Sequence, residues 1–247
     1  MTVRLHVNID HVATLRRLRD TPYPDVVGAA RTCLAAGAHG ITMHLREDRR
    51  HVTDADVRRV RPLVAGAATF NLEMALTDEM LDIASELRPD VATLVPERRQ
   101  ERTTEGGLDV CGREADVARA VQALGASGIR VSLFVAADPA QLAASARTGA
   151  AMVELHTGDY CHARGTAALG AQLSRLAEGA RWAAAAGLRV AAGHGLYYDD
   201  VGAVAAIPVV EELNIGHGIV CRAVEVGLGA AVREMIEAIG RGRAGAT

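Results

Sequence analysis

The stretch Ile41-Thr-Met-His-Leu-Arg-Glu-Asp-Arg-Arg-His51 decides how the chain reads. It opens as an apolar strand, Ile41 to Met43, and becomes a run in which Leu45 is the one apolar residue. His44 ends the strand, Arg46, Arg49, Arg50 and His51 occupy the loop, and Thr53-Asp-Ala-Asp56 starts a helix. An imidazole on a rigid strand tip, followed by a guanidinium-rich loop, suits proton transfer on an anionic substrate. Taken alone, the same run reads as a solvated charged turn. The difference is that the pattern recurs at nearly every other strand.

Eight short apolar or β-branched runs alternate with eight helical segments. The strands read as Arg4–Asp10, Gly40–Leu45, Thr69–Ala75, Asp90–Pro96, Arg130–Ala136, Met152–Gly158, Arg189–Gly195 and Glu211–Gly216. The helices read as Pro24–Ala38, Asp54–Ala65, Thr77–Leu87, Arg113–Ser127, Pro139–Thr148, Ala168–Ala186, Asp199–Ala206 and Ile219–Ile239. Gly37, Gly66, Gly128, Gly149 and Gly187 serve as helix stops. Near-continuous apolar strands between helices indicate a covered parallel sheet. Eight such units in 247 residues predict a (β/α)8 TIM barrel, one domain over residues 1–247, with additional helices near Cys161–Gly170.

Composition narrows the function. Hydrophobic residues make up 49% and charged residues 23%, enough for a packed core. A net charge of −3 gives no sign of a nucleic-acid partner, and no apolar run approaches membrane-spanning length. The N-terminus lacks the order of a signal peptide, and Cys33, Cys111, Cys161 and Cys221 are scattered, which fits the cytoplasm. There is no lysine, so all 27 basic residues are arginine. That excludes an enzyme-borne Schiff base and a P-loop lysine. Any imine must use an amine brought by the substrate.

Barrel active sites lie at the C-terminal strand ends. Polar residues collect there: Asn8, Asp10 and His11; His44 and Arg46; Asn71 and Glu73; Glu97; Glu154 and His156; His194; Asn214 and His217. An inward carboxylate such as Glu73 or Glu154 is costly in an apolar strand unless it has work or a partner. The two Gly-His-Gly turns ending strands seven and eight suit phosphate, with Gly195, Gly216 and His217 as ligands. Arg19, Arg46, His51 and the Thr103–Gly107 loop offer a second anion site. Together these suggest condensation of two small phosphorylated molecules. The run His156, Asp159, Cys161, His162 matches no strong zinc pattern, and the helix face of Asp56 and Arg58 to Arg61 reads as solvated.

The runs Val7-Asn-Ile-Asp-His11, Gly40–His51, Asn71-Leu-Glu-Met-Ala75, Leu94-Val-Pro-Glu97, Thr103–Asp109, Glu154-Leu-His-Thr-Gly158, Ala192-Gly-His-Gly195 and Glu212–His217 resemble the pyridoxine 5′-phosphate synthase family over almost the whole chain. The resemblance implies a homo-octamer built from dimers, condensing 3-amino-2-oxopropyl phosphate (1-aminoacetone 3-phosphate) with 1-deoxy-D-xylulose 5-phosphate. It implies no metal and no organic cofactor. His44 and Glu73 resemble proton acceptors, His194 a proton donor, and Glu154 a transition-state-stabilising carboxylate. Asn8, Gly195, Gly216 and His217 resemble contacts to the aminoketone phosphate. Asp10, His11, Arg19, Arg46, His51 and Thr103 resemble contacts to deoxyxylulose phosphate. Cys221 departs from the small residue expected there. A phosphosugar isomerase or aldolase, and a non-catalytic binding barrel, are the rival readings; neither explains both the second anion cluster and the inward carboxylates.

Overall fold

The apolar runs are too short for helices and are bounded by glycine or capping residues, so they settle as strands. The computed structural model describes residues 2–19, 21–97 and 106–245. Its strands are β1 (Arg4–Asn8), β2 (Gly40–His44), β3 (Thr69–Met74), β4 (Val91–Leu94), β5 (Arg130–Val135), β6 (Met152–His156), β7 (Arg189–Gly193) and β8 (Val210–Ile215). Neighbours pair in parallel, and β1 pairs with β8, Arg4 opposite Glu212 and Val7 opposite Ile215. The sheet therefore closes, and the chain is a (β/α)8 TIM barrel.

The helices are α1 (Asp10–Arg17), α2 (Val26–Ala35), α3 (Asp54–Val64), α4 (Asp78–Leu87), α5 (Glu114–Ala126), α6 (Pro139–Arg147), α7 (Gly158–His162), α8 (Leu169–Ala185), α9 (Val201–Ala205), α10 (His217–Val226) and α11 (Leu228–Ala244). The expected glycine stops hold: Gly37, Gly66, Gly128, Gly149 and Gly187 all have positive φ, which a side chain would resist. Asp25 caps α2, and Thr53 and Asp56 form a reciprocal capping box on α3.

Alternation along each strand sorts the barrel into two environments. Leu5, Val7, Ile41, Met43, Phe70, Leu72, Leu133 and Leu213 are essentially buried in the apolar core, each contributing about 1.5–3 kcal/mol by leaving water. The alternate residues Thr42, Asn71, Thr93, Glu154 and Asn214 are also buried but bond to one another across the barrel interior. Where a barrel interior is ordinarily filled with branched apolar side chains, this one is polar.

Four local expectations need correction. The strands end sooner than read: β1 stops at Asn8, and Asp10 is the first residue of α1. The short α7 follows β6 directly. The long last helix is two, because Gly227 takes φ +81° between α10 and α11. Asp56 is not solvated; it is 2% exposed and accepts two hydrogen bonds from Arg16 on α1, at 2.7 and 2.5 Å.

Candidate active site

Strand ends turn their last inward side chains into one cavity of about 420 Å³ at the C-terminal mouth of the barrel. That volume suits small metabolites. β1 and the start of α1 supply Asn8, Asp10 and His11, β2 and its loop His44, Arg46 and His51, β3 Glu73, and β6 Glu154. The turn after β7 supplies His194 and Gly195, and the end of β8 leads to Gly216 and His217. The cavity thus gathers every proposed site residue except two. Arg19 lies exposed beyond α1 and does not line it, and Thr103 falls outside the described residues.

One wall is an acid/base cluster. Asp10 Oδ1 accepts the His44 backbone N–H at 2.9 Å, and Asn8 Oδ1 accepts the Asp10 N–H at 2.9 Å. His44 Nδ1 stands 4.0 Å from Glu73 Oε2, and Asn8 Nδ2 donates to the same oxygen at 3.4 Å. His44 Nε2 meets Glu97 Oε1 at 2.8 Å, while the Glu47 N–H donates to Glu97 Oε2 at 3.1 Å. Burial opposes the charge on Glu97, but these two bonds hold its carboxyl below the usual range. Glu97 therefore fixes the His44 ring and leaves Nδ1 directed at Glu73. Burial, then the negative charges of Glu154 and Asp10, hold the Glu73 carboxyl well above the usual range. Its 15% side-chain exposure is to the cavity rather than to bulk water. Glu154 is raised likewise by burial and by Glu212, partly offset by a hydrogen bond from Asn214. Two carboxyls whose hold on a proton is strengthened by their surroundings can both take up and return protons.

The opposite wall is built for an anion. His194 and Gly195 sit at φ +79° and +86°. A left-handed histidine is strained, a cost of order 1–3 kcal/mol that concentrates at functional sites. The Thr157 hydroxyl steadies this turn by donating to the carbonyls of Gly193 and His194, and Arg164 donates to the Gly195 carbonyl. The N-terminus of the ten-residue α10 begins beside it with no side-chain cap, so its first N–H groups remain available to an anion. Gly216 packs so tightly on Asn8 that a Cβ would collide with the Asn8 carbonyl. Burial lowers the pKa of His11, His51 and His194; for His194, neighbouring histidines add to burial and bring it to about 4. Imidazoles held back from protonation by burial gain protons more readily when a phosphate binds among them.

Among the described residues, Asp10, His44 and Glu73 form the group with metal-site composition, one ligand atom from each lying within 4.8 Å of the others. Asp10 and His44 are already committed to hydrogen bonds there, so the group reads as a proton-transfer cluster. The His156–His162 run forms no such group among the described residues. Sequence reasoning did not single out Arg50, Phe134 and Asn214 as site residues, all of which line the cavity, nor Glu97 as the partner of His44. Glu97 and Asn214 did lie in strand-end runs rich in polar residues, the signal that could have found them. Cys221 lies one turn into α10, its sulfur 3.4 Å from His217 Nε2.

The chain matches known proteins over nearly its full length. Residues 5–241 match the family described as Pyridoxal phosphate biosynthesis protein PdxJ. The chain is 56% identical to pyridoxine 5′-phosphate synthase of Thermosynechococcus vestitus, covering 94% of this chain and 96% of that protein. It is 54% identical to the enzyme of that name from Xanthobacter autotrophicus, over 98% and 95% of the two chains. Among solved structures, KGPDC from Streptococcus mutans superposes with a TM-score of 0.66 at 14% identity, over 98% of this chain and 99% of that one, a likeness of fold. With its closed barrel and these matches over nearly its full length, the chain belongs to the PdxJ family of pyridoxal phosphate biosynthesis proteins.

Proposed function

We propose that the chain acts as a pyridoxine 5′-phosphate synthase. It condenses 3-amino-2-oxopropyl phosphate with 1-deoxy-D-xylulose 5-phosphate and releases pyridoxine 5′-phosphate, inorganic phosphate and water. The observation that carries the reading is the joining of the His44–Glu73–Glu154 cluster and the His194–Gly195–His217 anion wall in one cavity. The aminoketone brings its own amine, which a lysine-free chain requires. Ring closure needs several proton transfers, and a crowd of imidazoles and raised carboxyls supports them. In this reading His44 and Glu73 accept protons, His194 donates one, and Glu154 stabilises charge in the transition state. Asn8, Gly195, Gly216 and His217 hold the aminoketone phosphate. Asp10, His11, Arg46 and His51 hold deoxyxylulose phosphate from the cavity wall, with Arg19 and Thr103 as the further contacts that the resemblance implies. No metal or organic cofactor takes part. The enzyme works in the cytoplasm as a homo-octamer built from dimers; the exposed Leu15 of α1, Leu18 just after it, and Val224 and Val226 of α10 support self-association.

Chelator-treated protein given both substrates is expected to form pyridoxine 5′-phosphate, read by absorbance and mass. Folded protein that forms none overturns the activity, and product that returns only with added metal overturns the cofactor-free reaction.

A general acid must carry the proton it gives, and burial with the neighbouring histidines brings the pKa of His194 down to about 4. Histidine NMR is expected to show its midpoint rising by at least one unit when inorganic phosphate saturates the anion wall. A midpoint that does not move removes His194 from the donor role.

A further inference from the structure

Five side chains on five strands form one hydrogen-bond chain through the barrel interior. The Thr93 hydroxyl donates to Asn71 Oδ1 at 2.8 Å, and Asn71 Nδ2 donates to Thr42 Oγ1 at 3.4 Å. The Thr42 hydroxyl donates to Asn214 Oδ1 at 3.0 Å, and Asn214 Nδ2 donates to Glu154 Oε2 at 2.7 Å. None of the five is more than 5% exposed. Every donor points the same way, towards Glu154. A carboxyl oxygen closes the chain as its final acceptor, and an ionised carboxylate accepts such a bond more strongly than a protonated one does. The reverse sense would turn both amides over and make Glu154 the donor, which requires a proton on it. On its other side Glu154 Oε1 lies against Gly193, where a Cβ would strike both that oxygen and the Asn214 carbonyl. The carboxyl is thus held between a fixed donor and a bare backbone.

We propose that Asn214, oriented by Thr42, Asn71 and Thr93, is a positioning residue that holds Glu154 in one rotamer and favours its ionised form during turnover. The proposal rests on Glu154 being the stabilising carboxylate of the reaction. The groups that face Glu154 otherwise oppose its charge or lie far off. Glu73 on β3 and Glu212 on β8 are acidic, while burial disfavours the charged forms of His156 on its own strand and of His194 after β7. Arg130 and Arg189 begin the flanking strands β5 and β7 at the opposite end of the barrel. The aligned donor chain is the counterweight to that surrounding, and buried hydrogen bonds linked in series reinforce one another.

Thr42 does not line the cavity, so changing it leaves every substrate contact in place. Thr42→Val keeps the shape and removes the hydroxyl that sets the Asn214 amide. Expected results are kcat lower by about tenfold, KM within about twofold, and Glu154 titrating roughly one pH unit higher, the size of one charge-assisted hydrogen bond. The titration is read from the infrared carboxyl band that Glu154→Gln abolishes. Thr42→Ser is expected to restore both kcat and the midpoint. Thr42→Val with a lower melting temperature but an unmoved Glu154 midpoint overturns the proposal, because a merely structural hydroxyl would do that. If Thr42→Val does not fold, Thr93→Val tests the far end of the chain, where a smaller upward shift is expected and none overturns it. Glu154→Gln with full activity would instead sink the role of Glu154, and the infrared midpoints would still report on the chain.

Discussion

Glu73→Gln is expected to lower kcat by about 10²–10⁴-fold, the range for a positioned general base, while leaving the fold intact. Glutamine keeps the shape and the acceptor oxygen that Asn8 Nδ2 reaches at 3.4 Å. What it loses is the ability to take the proton that the nearby His44, 4.0 Å away, passes on or receives. The variant also has a stability signature. Burial and the charges of Glu154 and Asp10 raise the folded carboxyl above its ordinary value of 4.5. Above that pH the folded state binds more protons than the unfolded chain, so this group makes stability fall as pH rises through the raised value. Glu73→Gln removes its share of that fall. Thermal unfolding at pH 5 and pH 8, beside steady-state kinetics, checks both effects. A variant that keeps more than a tenth of kcat would take Glu73 out of the proton-transfer role.

Asp56→Ala is expected to cost about 3–5 kcal/mol, the typical penalty for leaving one half of a buried ion pair alone. The pair is bidentate, Arg16 is largely covered at 13% exposure, and Asp56 also closes the capping box of α3 with Thr53. Arg16 donates to the His51 carbonyl as well, at 3.4 Å. Its release should therefore loosen the loop that carries an anion-binding histidine and raise KM for one phosphorylated substrate. Burial opposes the Asp56 charge, but hydrogen bonds from Arg16 and Thr53 keep its folded pKa below 3.8. Its contribution is present above that pH and is lost as pH falls through the lower folded value. Urea denaturation of Asp56→Ala, Arg16→Ala and the double variant gives the coupling. A double variant as unstable as the sum of the singles would mean that the pair is not what holds α1 to α3.

The barrel was legible because its signals are local. Strand runs such as Ile41–Met43, glycine stops such as Gly187, and polar residues at strand ends each need only a few neighbours in sequence. The family motifs placed the site, and the structure brings nearly all of those residues to one cavity. What escaped is relational. Asp56 reads as solvated until Arg16, 40 residues earlier, is seen against it. Glu97 and Asn214 matter through His44 and Glu154, partners that meet only when strands two places apart in the sheet are set side by side. The break at Gly227 was hidden because helical patterning continues on both sides and one glycine does not by itself end a helix.

Closure of the sheet also sets a timetable. Arg4 and Glu212, bonded partners at the seam, are 208 positions apart. At about 5–20 residues per second, β1 waits roughly ten to forty seconds on the ribosome before its second neighbour exists. During that wait its open edge offers unpaired backbone groups to any other strand. Nascent chains halted before β8 should therefore be the species that binds chaperones and aggregates, although the finished barrel presents no edge at all.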